Sequence, residues 1–238
     1  MRYSIFLLVV LYAFSGCGGS STQSSSQSAK LRVILGGEAV AGNLTVVIGG
    51  ATVATGINYP TCVNQVCQAL STYLTVQPGG IDFEIQAPGS SANLVPIQFQ
   101  KLNLSPNTQN TFILGGGMGG TIEGYLFLDD SAPAAGSVKL RVALVDPGAP
   151  SPVSAWVNLD GSTTGSPTIS GVTLGSASSY LTLSPGSYME VFDISCPGIP
   201  PISFCTKVGP TPFAANQNLT VYLLNEGPFT KPLILADN

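Results

Sequence analysis

Histidine is absent from the 238 residues. Without an imidazole, neither a Ser-His-Asp triad nor a Cys-His pair can be assembled. No Gly-x-Ser-x-Gly elbow occurs to carry a nucleophilic serine. Charge is scarce as well: Asp, Glu, Lys and Arg make up 8% of the chain, against roughly 25% in ordinary soluble domains. Twelve acidic residues stand against eight basic ones, so no surface can neutralise a row of phosphates, which excludes nucleic acid as a partner. The apolar run at residues 5–14 is ten residues long, whereas a membrane-spanning helix takes about 20. Tryptophan occurs once, as Trp156.

What is present begins with the amino terminus. Arg2 supplies a positive charge, the short apolar run follows, and Ser15-Gly16-Cys17 closes the segment. A basic start, an apolar core and small residues at a cut describe a secretory signal. The cysteine directly after Ser-Gly resembles the lipobox of bacterial lipoproteins, with Phe14 where that family usually has Leu. The resemblance implies cleavage before Cys17, acylation of Cys17 and attachment to a lipid bilayer in the cell envelope. Each buried methylene is worth about 0.8 kcal/mol, so several chains hold firmly where one does not. Gly18, in place of the Asp that retains such proteins at the inner membrane, points to the outer membrane of a Gram-negative host. Residues 17–29 then form a Ser-rich tether, which has too little apolar surface to offset its ordering entropy.

Five cysteines occur. With Cys17 given to lipid, Cys62, Cys67, Cys196 and Cys205 remain, an even number for an oxidising compartment. Local pairing is expected, Cys62 with Cys67 and Cys196 with Cys205, because short loops close at little entropic cost. Val63, Val66, Cys67 and Leu70 fall at helical spacing. In a helix, however, residues five apart rise about 7.5 Å and point about 140° apart, which a disulfide cannot span. Helix and bond exclude each other there, and the bond is preferred, with residues 63–66 as its loop.

The remaining sequence is a duplication. Lys30-Leu31-Arg32-Val33 recurs as Lys139-Leu140-Arg141-Val142, and the stretch from Tyr73 to Pro78-Gly79 recurs from Tyr180 to Pro185-Gly186. Gln109-Asn110, before an apolar run, recurs as Gln217-Asn218. Landmarks kept in order near a hundred residues apart mean duplicated domains. The division is a signal at 1–16, the tether at 17–29, repeat 1 at 30–128, a linker at 129–137 and repeat 2 at 138–238. Ile81, Phe83 and Ile85 alternate with Asp82, Glu84 and Gln86, and Ile97 and Phe99 alternate with Gln98 and Gln100, the period of half-buried strands. Gly and Pro clusters punctuate such runs about every ten residues, which predicts an all-β chain of two antiparallel sandwiches. At these landmarks the chain resembles the bacterial family of domains of unknown function 4397. That resemblance implies an immunoglobulin-like fold, and it brings no catalytic residues with it.

The candidates for chemistry are few. Gly115, Gly117 and Gly120 have the spacing Gly-x-Gly-x-x-Gly, but a dinucleotide site needs a helix next, and residues 121–128 read as strand. Asp82 and Glu84 share a strand face, and Asp129 adjoins Asp130. Such pairs can serve glycoside hydrolysis or calcium binding, yet exposed acids on a polar face are usually only solvated. Trp156 is expected inside a sandwich core, and Tyr73 and Tyr180 are expected to share a structural role. No metal, cofactor or enzymatic activity is implied. The expected function is non-catalytic surface interaction or adhesion, toward a glycan, a peptide or an envelope protein. The alternative is a ligand-carrying or hydrolytic lipoprotein with a carboxylate-lined site between the domains.

Overall fold

A computed structural model describes residues 27–37, 42–63, 66–68, 72–116, 121–129, 132, 135–194, 206–226 and 229–237. The first unit contains β1 (Ala29–Leu35), β2 (Leu44–Ile48), β3 (Ala51–Ile57), β4 (Thr61–Val63), β5 (Val66–Gln68), β6 (Leu74–Val76), β7 (Gly79–Gln86), β8 (Lys101–Leu104), β9 (Gln109–Gly116) and β10 (Ile122–Asp129). The second contains β11 (Val138–Leu144), β12 (Val153–Asn158), β13 (Ile169–Val172), β14 (Leu181–Leu183), β15 (Gly186–Phe192), β16 (Thr206–Phe213), β17 (Gln217–Glu226) and β18 (Phe229–Ala236). Among the described residues there is no α-helix.

The units repeat strand for strand except for β4 and β5, which have no counterpart among the strands of the second. Sheet β10-β9-β1-β6 corresponds to β18-β17-β11-β14, and β3-β2-β7-β8 corresponds to β13-β12-β15-β16. Each is an immunoglobulin-like antiparallel sandwich, apart from one parallel pair, β1 with β9 and β11 with β17. Each has its own core. Leu31, Val33, Leu35, Phe83, Ile85 and Phe112 pack in the first, and Leu140, Val142, Leu144, Phe192, Val208 and Val221 in the second.

A third apolar layer joins them. Ile34, Ile113 and Phe127 of the first unit meet Ala143, Val145, Tyr222, Leu224 and Leu233 of the second. The molecule is therefore four sheets deep, with β10-β9-β1-β6 and β14-β11-β17-β18 as the inner pair. This explains the Leu-Arg-Val landmark. A strand buried on both faces reads as a nearly continuous apolar run: Leu31, Val33 and Leu35 face their own core, while Arg32 and Ile34 face the other unit.

Four sequence expectations change. Ile97 and Phe99 do not lie on a strand. They form a 3-10 turn after Pro96, closed by Phe99 N–H to Pro96 O at 2.9 Å, and Ile97 is 85% exposed. Proline's fixed φ favours such a turn over a central strand. Val63 and Val66, expected in the loop, are strand residues, and residues 64 and 65 lie outside the described ones. Residue Val63 pairs with Val66, and Cys62 stands directly opposite Cys67 in the β4–β5 hairpin. This hairpin joins the other unit's sheet, with β5 parallel to β18 through Cys67 and Leu233. Residue Asp129 ends β10 and is not part of a linker. Finally, the third landmark slips by one residue: Arg32 sits opposite Thr111 and Arg141 opposite Thr220, so Gln109 corresponds to Asn218. The β15–β16 register breaks between Tyr188 and Glu190, and the extra residue lies at Gly209-Pro210. Gly209 has φ 111°, and a β-carbon there would lie 2.5 Å from the Tyr188 carbonyl oxygen, so only glycine fits.

Candidate functional site

The starts of β1 and β11 and the ends of β10 and β18 meet at one end of the inner sheets. There the two units exchange charges. Arg32 of the first unit donates from Nη2 to Asp237 Oδ1 of the second at 3.0 Å and from Nη1 to the Ala236 carbonyl at 2.6 Å. Arg141 of the second unit donates from Nη2 to Asp129 Oδ1 of the first at 2.8 Å and from Nη1 to the Leu128 carbonyl at 2.8 Å. Each guanidinium also donates from Nε to a threonine of its own unit, Thr111 at 3.0 Å and Thr220 at 2.8 Å.

The tyrosines complete the pattern. Tyr73 and Tyr180 each carry an arginine over the ring at 4.7 Å to the centroid. Their hydroxyls donate to Asp129 at 2.8 Å and Asp237 at 2.9 Å. Thr111 and Thr220 donate to the same two carboxylates at 2.6 and 2.5 Å. Every contact thus has a mate in the other unit, as across a two-fold axis running along the strands. Tyr222 breaks the symmetry. It stands where the first unit has Ile113, fully buried, with its hydroxyl 3.4 Å from Asp129 Oδ1.

All four charges are closed to solvent, with Asp129 and Asp237 side chains at 0% exposure. Burial alone lowers the affinity of Arg32 and Arg141 for protons, but Tyr222, the overlying tyrosines and the two carboxylates reverse this and hold both guanidiniums above their ordinary value. Burial and then the nearby Asp129 charge push the Asp237 carboxyl up, against the pull of Thr220, Arg141 and Arg32. Burial likewise raises the Tyr73 and Tyr222 phenols, so both stay protonated. Two positive and two negative charges cancel with every strong donor engaged. Buried ion pairs of this kind add little net stability over apolar packing, but a misplaced one leaves an uncompensated charge at several kcal/mol. The apolar layer supplies the attraction between the units and the latch selects their one register.

The other sequence candidates do not converge on a site. Asp82 and Lys101 form an exposed pair at 3.9 Å, and Glu84 accepts from Gln86 at 3.0 Å. Gly115 lies in β9, Gly117 and Gly120 lie outside the described residues, and residues 122–129, where the helix of a dinucleotide site would run, form strand β10. Trp156 is not in the core. Ala155 and Val157 alternate inward, which turns Trp156 to the outer face of β12, where Nε1 donates to the Gly165 carbonyl at 3.2 Å. Cys17, Cys196, Cys205 and Asp130 lie outside the described residues. Among the described residues, no group of three or more His, Cys, Asp or Glu could hold a metal. No helix of theirs is long and apolar enough to cross a membrane.

Two sandwiches of one topology, closed on each other through a reciprocal charged latch, define a tandem β-sandwich protein. Residues 29–151, just over half of the chain, match the family described as domain of unknown function (DUF4397), and the chain belongs to it. No curated protein matches it.

Proposed function

We propose that this chain is a lipid-anchored protein of the cell envelope. Its two non-catalytic modules form one rigid unit for contact with a glycan, a peptide or a neighbouring envelope protein. The observation that carries this reading is the shared polarity of the units. β1, which follows the tether, starts at the latch end, where Asn107 N–H binds the Ser28 carbonyl at 2.8 Å. The opposite ends of both inner sheets therefore point away from the anchor. They too are joined, by the bridge of Gly37 to Asn225 and by Tyr59 Oη donating to the Asn225 carbonyl at 3.3 Å. A display unit needs such stiffness, because a flexible joint would add an ordering cost to every contact spanning both modules. The carboxylates between the units are already neutralised by two arginines, which favours this reading over a hydrolytic one.

Replacing Cys17 with Ser is expected to abolish incorporation of radiolabelled palmitate and to release the chain from the membrane fraction. Retention of label and membrane association would end the anchor reading. The facing register of Cys62 and Cys67 suits a disulfide, since opposed residues of an antiparallel pair lie about 4.5–5.5 Å apart at Cα. Peptide mapping of the unreduced protein should recover Cys62–Cys67 and Cys196–Cys205 as local crosslinks. A crosslink between the repeats would refute both.

A further inference from the structure

One element of the first unit has no strand counterpart in the second. The β4–β5 hairpin leaves its own unit and joins the edge of the other unit's sheet, with β5 running parallel to β18. The corresponding connection of the second unit, after β13, stays at home. It bridges its own β11, through Leu174 to Leu144 and Ala177 to Ala143. The crossing is therefore one-sided.

The hairpin is poorly built to hold itself. β4 and β5 have three residues each, and a lone two-stranded hairpin is marginal at best in water. Its attachment is narrow as well. Of β5, only Cys67 is in register with β18, opposite Leu233. The same residue stands opposite Cys62 across the hairpin. One cysteine is thus both the docking position of the hairpin and half of its facing pair.

We propose that Cys62 and Cys67 form a redox-operated clasp between the units. Oxidised, the bond ties β4 to β5 and keeps the hairpin ordered on β18. A dithiol reductant opens it. One thiolate of the reductant attacks a sulfur of the pair to form a mixed disulfide, and its second thiolate then displaces the protein sulfur. The reductant ends as a disulfide, and two electrons and two protons leave Cys62 and Cys67 as thiols. Two three-residue strands then have to offset their ordering entropy without the crosslink. The hairpin leaves, and the outer edge of β18 opens. The latch of Arg32, Arg141, Asp129 and Asp237 contains no cysteine, so the units stay joined. The clasp rests on the Cys62–Cys67 pairing under the proposed function and needs no lipid.

Amide hydrogen exchange of the unlipidated Cys17→Ser chain, oxidised and in dithiothreitol, reads the clasp. Reduction should speed exchange by roughly tenfold or more, as local opening does, in peptides covering residues 61–68 and 229–237. Peptides of β11 should not change. Cys62→Ser with Cys67→Ser should exchange fast in both conditions, and Cys196→Ser with Cys205→Ser should keep the response. Free thiols at 62 and 67 in the oxidised protein would sink the pairing and the clasp together. A mapped Cys62–Cys67 bond that dithiothreitol cannot open in the folded chain overturns the clasp alone. So does a bond whose reduction leaves residues 229–237 as protected as before.

Discussion

Replacing Asp237 with Ala should lower the unfolding free energy by about 3–5 kcal/mol, the range for stripping one partner from a buried ion pair. For a protein of this size that is a fall in thermal midpoint on the order of 10 °C. The loss comes from what remains. Arg32 keeps its bonds to Thr111 and the Ala236 carbonyl, but its nearest carboxylate is then Asp129 Oδ2 at 3.9 Å. Two hydroxyl donors, Tyr180 and Thr220, also lose their acceptor. Arg32→Met alone should cost a comparable amount, because it leaves the Asp237 charge buried. The double change removes both charges and should recover most of the loss. Thermal unfolding of the four proteins forms a double-mutant cycle, and a coupling of several kcal/mol is expected. By the two-fold relation, Asp129→Ala with Arg141→Met should give the same pattern. Additive single effects would mean that the latch is not a coupled unit.

The second large effect is expected at Glu190. Alignment of Val46 opposite Ile85 with Ala155 opposite Phe192 places Glu190 where the first unit has Phe83. It is fully buried, its Oε1 has no hydrogen-bond partner among the described residues, and Thr211 reaches Oε2 only at 3.5 Å. Burial in this apolar core pushes the carboxyl up to about 8 from its ordinary 4.5, with only small opposing pulls from a backbone N–H and from Thr211. The folded protein therefore holds a proton that the unfolded chain releases. Stability should fall as pH rises from 4.5 to 8 and level off above. Each pH unit in that window amounts to about 1.4 kcal/mol, so the penalty reaches on the order of 3 kcal/mol at pH 7. Glu190→Gln keeps the shape and has no such proton to lose. Its advantage over the parent should grow from pH 4 through pH 7 to pH 9 in denaturant unfolding. A difference that stays constant with pH would show that the carboxyl ionises equally in both states.

Much of the fold is legible in the sequence, because its signals are local. Turn residues at Gly49-Gly50, Pro78-Gly79 and Pro185-Gly186 bound the strands, and the alternation about Phe83 marks a sheet with one wet face. Trp156 could have been placed by the same rule. Ala155 and Val157 flank it as the small apolar residues of the core face, and the general habit of burying tryptophan overrode that signal. Ile97 and Phe99 show the reverse error, since Pro96 was a local cue against a strand.

The latch is another matter. The sequence alone determined that there are two like units, each all-β, and that Arg32 matches Arg141 and Tyr73 matches Tyr180. Asp129 and Asp237 stand 108 residues apart in the same way, but their neighbours differ, Asp130 beside one and Asn238 beside the other, so the repeat did not stand out. Only the tertiary structure decided that each arginine takes the other unit's aspartate. It alone decided that β4–β5 crosses to the second sheet, and that Glu190 is sealed in a core. Alternation along a strand tells which residues share a face, but not what lies against that face. Where strands such as β1 and β11 are buried on both sides, the choice between own core and other unit rests on contacts more than a hundred residues distant, which no local pattern encodes.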